Sequence, residues 1–146
     1  MTSYTRQVGS DADTVEQAHA VRRRVFIEEQ GVAEAVEMDG KDQAATHVVL
    51  ADDADPVATA RVRVPTEATA KIERVAVLPA YRGDGLGRRV MDAAESAALD
   101  DGATEAVLHA QVRVRAFYER LGYTANGDTF EEAGIPHVEM RKSLSE

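Results

Sequence analysis

The chain has no cysteine, which excludes disulfides, thiolate nucleophiles and cysteine-ligated zinc. Proline is scarce, at four residues, and with 44 % hydrophobic residues this composition excludes a disordered chain. No segment is apolar enough to span a bilayer, and the opening MTSYTRQVGSDADT has no signal-like apolar stretch. A cytoplasmic protein without a membrane partner is therefore expected. Lysine is almost missing: Lys41, Lys71 and Lys142 stand against 14 arginines. Positive charge is in deficit overall, with a net charge of −9. Such a surface repels nucleic acid, so no nucleic-acid partner is expected. The four histidines, His19, His47, His109 and His137, are widely spaced with no His-x-x-x-His pattern, which argues against a metal site.

What is present is acid, alanine, valine and arginine, a balance that resembles the proteins of salt-loving archaea. The 146 residues suit one domain, 1–146, large enough to bury a core. A short strand is expected at 3–9. Asp13 followed by Glu16 reads as a capping box, and Val15, Ala18, Val21 and Val25 recur at helical spacing to about Glu29. On that helix the Arg22-Arg23-Arg24 triplet reads as a solvated face forming local ion pairs. QGVAEAVEMDGKD breaks the pattern as a short helix or loop. THVVLAD (46–52) and VATARVRV (57–64), separated by DADP, read as a hairpin. AKIERVAVL (70–78) is a strand ended by Pro79, and TEAVLHAQ (104–111) is another. Between them Leu86, Val90, Ala93, Ala94 and Ala97 mark a helix stopped by Gly102. A second, short helix carries Val114, Phe117, Tyr118 and Leu121, with two closing strands after it. The expected fold is mixed α/β, with a hairpin first and a β–α–β unit with parallel strands later.

The most informative stretch is YRGDGLGRRVMDAAESAALDDG, residues 81–102. Three glycines, Gly83, Gly85 and Gly87, sit just before or inside the first turn of a helix. The free amides of that turn point outward at the positive end of the helix dipole, and glycine lets a ligand approach the backbone closely. Arg88 and Arg89 oppose the dipole there, a cost that a bound anion would reverse. The loop lacks the Lys-Ser/Thr of a P-loop and the Gly-x-Gly-x-x-Gly of a dinucleotide site.

Arg82-x-x-Gly85-x-Gly87 after VAVLPAYRG resembles the acetyl-CoA signature of the GNAT superfamily of N-acetyltransferases. VRRRVFIEEQGV, FYERLGY and FEEAGIPHVEM occur in the family's order, and the resemblance covers nearly the whole chain. It is similar above all to small bacterial and archaeal members with VF-x-x-EQGV and GIPH segments. The resemblance implies a twisted mixed sheet of about seven strands flanked by about four helices. Acetyl-CoA would lie where parallel strands 70–78 and 104–111 splay apart. The loop Arg82, Gly83, Asp84, Gly85, Leu86, Gly87 and Arg88 would wrap the pyrophosphate of coenzyme A. Val75, Ala76 and Val77 would bond the pantetheine arm, with an amide near Val75 as oxyanion stabiliser, and Gln111 would also touch that arm.

Acetyl transfer from acetyl-CoA to a primary amine needs a base for the amine and an acid for the leaving thiolate. The resemblance implies Tyr118 as that acid, in contact with coenzyme A, and Glu73 as the base. Strand alternation gives Glu73 the face of Lys71, Val75 and Val77. Glu28, Glu29, His109 and His137 are the substrate-side candidates. With Glu131 and Glu132 the glutamates suggest a small cationic amine or peptide acceptor. Homodimers are common in the family. The alternative is a non-catalytic acyl-CoA-binding sensor with the same pocket; a nucleotide-phosphate binder is a third reading.

Overall fold

The computed structural model describes residues 4–66 and 68–145. Ser3, the expected first residue of the opening strand, lies outside them. Seven strands form one mixed sheet: β1 (Tyr4–Gly9), β2 (Thr46–Asp52), β3 (Asp55–Thr66), β4 (Thr69–Val77), β5 (Glu105–Gln111), β6 (Thr124–Glu132) and β7 (Ile135–Ser143). The order is β1-β2-β3-β4-β5-β7-β6, antiparallel except for the β4–β5 pair. Four α-helices flank it: α1 (Ala12–Arg22), α2 (Glu34–Glu37), α3 (Leu86–Asp100) and α4 (Arg115–Arg120). Val48, Val49 and Leu50 are consecutive on β2 and all within 1 % of full burial. Neighbouring strand residues point to opposite faces, so both faces of the sheet centre are covered.

The cap of α1 lies two residues ahead of the expected box. Asp11 accepts from the Thr14 amide at 3.1 Å and from its hydroxyl at 2.8 Å. Asp13 sits instead in the first turn, where its charge favours the dipole. From Arg23 to Glu29 the helix widens to π geometry, closing with the Gln30 amide on the Val25 carbonyl at 3.1 Å. Arg22, expected on a solvated face, is fully buried, whereas Arg23 and Arg24 are exposed. One helical step separates them, and only Arg22 faces the sheet.

Alternation along β4 also fails at one point. Thr59 lies opposite Ala76 but Arg61 lies opposite Glu73, so β4 carries one extra residue there, and Arg74 takes φ 54°. This bulge puts Ala76, rather than Val75 or Val77, on the face of Glu73, and Val77 on the face of Ala58. It has a larger consequence. β4 and β5 pair only over Thr69–Lys71 and Glu105–Val107; beyond that they part, leaving the main-chain edge of β4 open toward β5.

Candidate active site

The parting of β4 and β5 opens a cavity of about 890 Å³ that runs from the glycine loop to the β6–β7 turn. At the loop end Gly83 and Gly85 have φ of 90° and 79°, and Gly85 caps α3. A Cβ on either would meet nothing within 4 Å. The backbone there is thus bare and open, as close approach of an anion requires. Gly87 serves another purpose: a Cβ there would sit 3.0 Å from the Phe117 ring, so glycine lets α3 and α4 touch. The two arginines of the first turn diverge. Arg88 lines the cavity, while Arg89 lies over the Tyr4 ring at 5.3 Å. Asp84 does not line the cavity.

Arg82 is held from two sides. Its Nε donates to the Val77 carbonyl at 2.9 Å, and Nη1 and Nη2 grip Glu29 at 2.8 and 2.7 Å. That bond in turn holds the Glu29 carboxyl below its ordinary range. Glu29 therefore braces the loop from the end of the π turn instead of lining the substrate side. Glu28 and Glu131 do not line the cavity either. Gln111 donates to Gln30 at 3.0 Å and accepts from Arg113 at 2.9 Å, joining β5 to the helix end across the cavity mouth.

Tyr118 lines the middle of the cavity beside Val75–Val77. Edge contacts with Phe117 and Tyr123 fix its ring at centroid distances of 5.0 and 6.1 Å. Burial alone pushes its hydroxyl well above the ordinary tyrosine range, with no hydrogen-bonded partner contributing. The proton stays on the oxygen and remains available to a guest.

Glu73 also lines the cavity, but its carboxylate is occupied. It accepts from Arg61 Nε and Nη2 at 2.9 and 2.6 Å, and from Arg63 Nε and Nη2 at 2.8 and 2.7 Å. Burial alone would raise its pKa; the two guanidinium groups outweigh that and bring it to about 2. Both Glu73 oxygens are thus engaged by arginine, which weakens it as the expected base and makes it an anchor of the cavity wall.

Glu73 belongs to a larger assembly that sequence reading missed. Arg22 donates to Glu37 at 2.9 Å and to Asp42 at 2.7 Å. Arg61, fully buried, reaches Asp39 with both Nη atoms at 2.8 Å and Asp42 at 3.0 Å. Arg74 sits 2.6 Å from Glu37. His19 adds a contact to Asp42 at 2.8 Å. Asp39 and Asp42 are held below the usual carboxylate range; for Asp42 the arginines and His19 overcome a burial penalty. Together these groups tie α1, α2, β3 and β4 into one wall. The only sequence signal was Glu37-x-Asp39-x-x-Asp42, which reads as solvated charge on an acidic chain.

On the opposite wall His109 Nδ1 lies 2.9 Å from Glu132, whose carboxyl it holds down. His137 is buried, and its Nδ1 lies 2.6 Å from the Ile135 carbonyl. A carbonyl only accepts, so Nδ1 carries the hydrogen of that bond, and Nε2 lies 3.8 Å from Glu132. Phe130 separates the two imidazoles, edge-on to His109 and stacked on His137. Among the described residues no group of three His, Cys, Asp or Glu could hold a metal ion, and no helix is long and apolar enough to cross a membrane.

Residues 10–144 match the family described as "Acetyltransferase (GNAT) domain". The chain belongs to the GNAT acetyltransferase family. Of Bacillus subtilis proteins, YyaT is 38 % identical over 143 residues, covering 96 % of this chain and 95 % of its own. YjcF, described as an uncharacterized N-acetyltransferase, is 35 % identical over 92 % of this chain and 96 % of its own. Among solved structures, an N-acetyltransferase candidate from Lactobacillus plantarum superposes with a TM-score of 0.90 at 32 % identity, over 98 % of this chain and 99 % of that one. An acyl-CoA N-acyltransferase from Pseudomonas aeruginosa gives 0.81 at 29 %, over 97 % and 99 %. These relatives are bacterial, so the archaeal and halophilic expectation rests on composition alone. The GNAT assignment makes acyl transfer the chemistry to be explained.

Proposed function

We propose that this GNAT protein is a cytoplasmic N-acetyltransferase, acting as one domain over residues 1–146, that moves the acetyl group of acetyl-CoA to a primary amine. The observation that carries the reading is the parting of β4 and β5 beyond Lys71 and Val107, with the bare Gly83–Gly85 backbone at its end. This shape and chemistry fit coenzyme A: open amides and Arg88 for the pyrophosphate, and the free edge of Val75–Val77 for the pantetheine amides.

Acetyl-CoA supplies a thioester that an amine attacks directly, forming a C–N bond as the C–S bond breaks. His137 Nε2 takes the amine's proton, with Glu132 stabilising the imidazolium that forms. Tyr118 hands its proton to the departing sulfur. His137 then releases its proton to solvent and Tyr118 regains one from it, so that over a full turnover one proton passes from amine to thiol and no covalent enzyme intermediate is needed. Main-chain donors on the cleft side of β4 favour charge developing on the carbonyl oxygen.

Replacing Tyr118 by Phe keeps the ring contacts and removes the proton. Turnover, read as free-thiol release, should fall by about 10²–10⁴-fold, while acetyl-CoA affinity measured by calorimetry stays constant. Full activity in that variant would remove Tyr118 from the mechanism. Saturable acetyl-CoA binding without thiol release for any amine would favour the sensor reading.

A further inference from the structure

The cavity wall built by α2, β3 and β4 contains more cation than its carboxylates can use. Glu37 is held by Arg22 and Arg74, Asp39 by Arg61, Asp42 by Arg22 and Arg61, and Glu73 by Arg61 and Arg63. Lys41 and Lys71 line the cavity in addition. Lys41 forms no ion pair among the described residues. The Lys71 ammonium lies 3.5 Å from a Glu73 oxygen that already accepts from Arg63. Arg74 also lines the cavity; its Nη2 donates to the Glu37 carbonyl at 3.1 Å and to Asp39 at 3.3 Å, and its Nη1 makes no hydrogen bond among the described residues. Lys41, Lys71 and Arg74 thus line this wall beside Glu37, Asp39 and Glu73, three carboxylates that the arginines behind them, Arg22, Arg61 and Arg63, already engage, on a chain whose net charge is −9. A cationic acceptor entering here would meet saturated carboxylates and surplus ammonium groups.

The opposite wall has the complementary character. Glu132 is the one cavity-lining carboxylate, among the described residues, with no arginine bonded to it; it faces His109 and His137. Lys71 lines the same cavity as Glu132 and, after His109 and His137, helps to hold its carboxyl below the ordinary range. The two walls therefore offer a seat for an anion and a seat for an amine within one cavity.

Resting on the N-acetyltransferase reading above, we propose that the acceptor is an amine that also carries an anionic group, a carboxylate or a phosphate. The anion sits on Lys71, Lys41 and Arg74, and the amine sits against Glu132 and His137. The surplus charge stabilises a substrate anion through charge-assisted hydrogen bonds in a partly buried site. It also repels polyamines and basic peptides, which reverses the cationic acceptor expected from the glutamate content.

The test compares matched amines on the full-length protein at one ionic strength: phosphoethanolamine against ethanolamine, β-alanine against propylamine, and spermidine as the cationic probe. The anionic member of each pair should have a kcat/KM at least about tenfold higher, carried by KM. In Lys71→Met that advantage should vanish with acetyl-CoA affinity unchanged, and Lys71→Arg should restore most of it. Preference for spermidine or the neutral amines, or an advantage that survives Lys71→Met and Lys41→Met together, overturns the proposal. Calorimetric titration with phosphoethanolamine and ethanolamine gives a readout without turnover. Binding of the phosphorylated form alone supports the anion seat, and equal or absent binding refutes it. Failure of acetyl-CoA itself to bind would instead sink the acetyltransferase reading, which keeps the two failures apart.

Discussion

The two ends of the cavity are built on opposite principles. The glycine-loop end is local: within six residues, 82–87, the chain supplies bare backbone, a helix start and the glycine that meets Phe117. The wall at the other end is assembled from afar. Arg22, Asp39, Asp42, Arg61 and Glu73 come from α1, the segment after α2, β3 and β4, and neutralise one another only when folded. At the first end the sequence is the site. At the second, single residues have no assignable role until their partners are known, because a buried charge is tolerable only when paired.

The largest way to break this comparison is to remove the hub of the distant assembly. Arg61→Met leaves Asp39, Asp42 and Glu73 short of a partner in a buried setting. It should cost about 3–5 kcal/mol, seen as a fall in Tm of roughly 6–20 °C. A loss below 1 kcal/mol would mean that the wall does not depend on its arginines.

Acid should act on the same wall. Glu73 has its pKa depressed from 4.5 to about 2, so its contribution is complete above 4.5 and is lost as pH falls toward 2. That contribution is on the order of 3 kcal/mol. His47, fully buried with its pKa lowered mainly by burial, adds an earlier loss that begins below 6.5 as the unfolded chain takes up protons. Denaturant titrations from pH 7 to 2.5 should show stability falling in those two stages. A flat profile down to pH 3 would contradict the network.

The local end sharpens the contrast. Gly85→Val puts a β-branched residue at φ 79° and a side chain where the anion would approach. Acetyl-CoA affinity should drop by about 100-fold or more, a loss of roughly 3 kcal/mol, with Tm changed far less than by Arg61→Met. Equal losses of affinity in both variants would erase the distinction between the two ends. The smallest effect is expected at Arg23, one residue from the buried Arg22. Its ion pair with Glu34 is solvent-exposed, so Arg23→Met should change stability by less than about 0.5 kcal/mol.

Much of the fold was legible. The positive-φ stops at Gly102 and Gly122, the hairpin expected from 46–52 and 57–64, and the parallel pairing of β4 with β5 follow from periodicity and turn chemistry. The expected helix through Glu29 missed its π turn, since apolar spacing does not register one extra residue in a turn. Alternation misplaced Val75 and Val77 because the bulge at Arg74 is non-glycine and leaves no turn residue to mark it. In the site, the glycine loop and Tyr118 could be picked out as a motif and line the cavity, whereas Glu28 and Glu29 do not line it. Glu29 faces Arg82, 53 residues away in sequence.

By itself the sequence determined what short-range sterics and periodicity control: the strands, the helices, and a loop whose positive-φ positions at 83 and 85 favour glycine. The tertiary structure alone decided which charges meet. Coulomb energy and desolvation depend on distance and burial rather than on residue type. Among the arginines and glutamates of this acidic chain, folding turned Arg22 and Arg61 into core residues and Glu73 into a saturated carboxylate. The same packing left Lys71 and Lys41 as the surplus cations of the cavity.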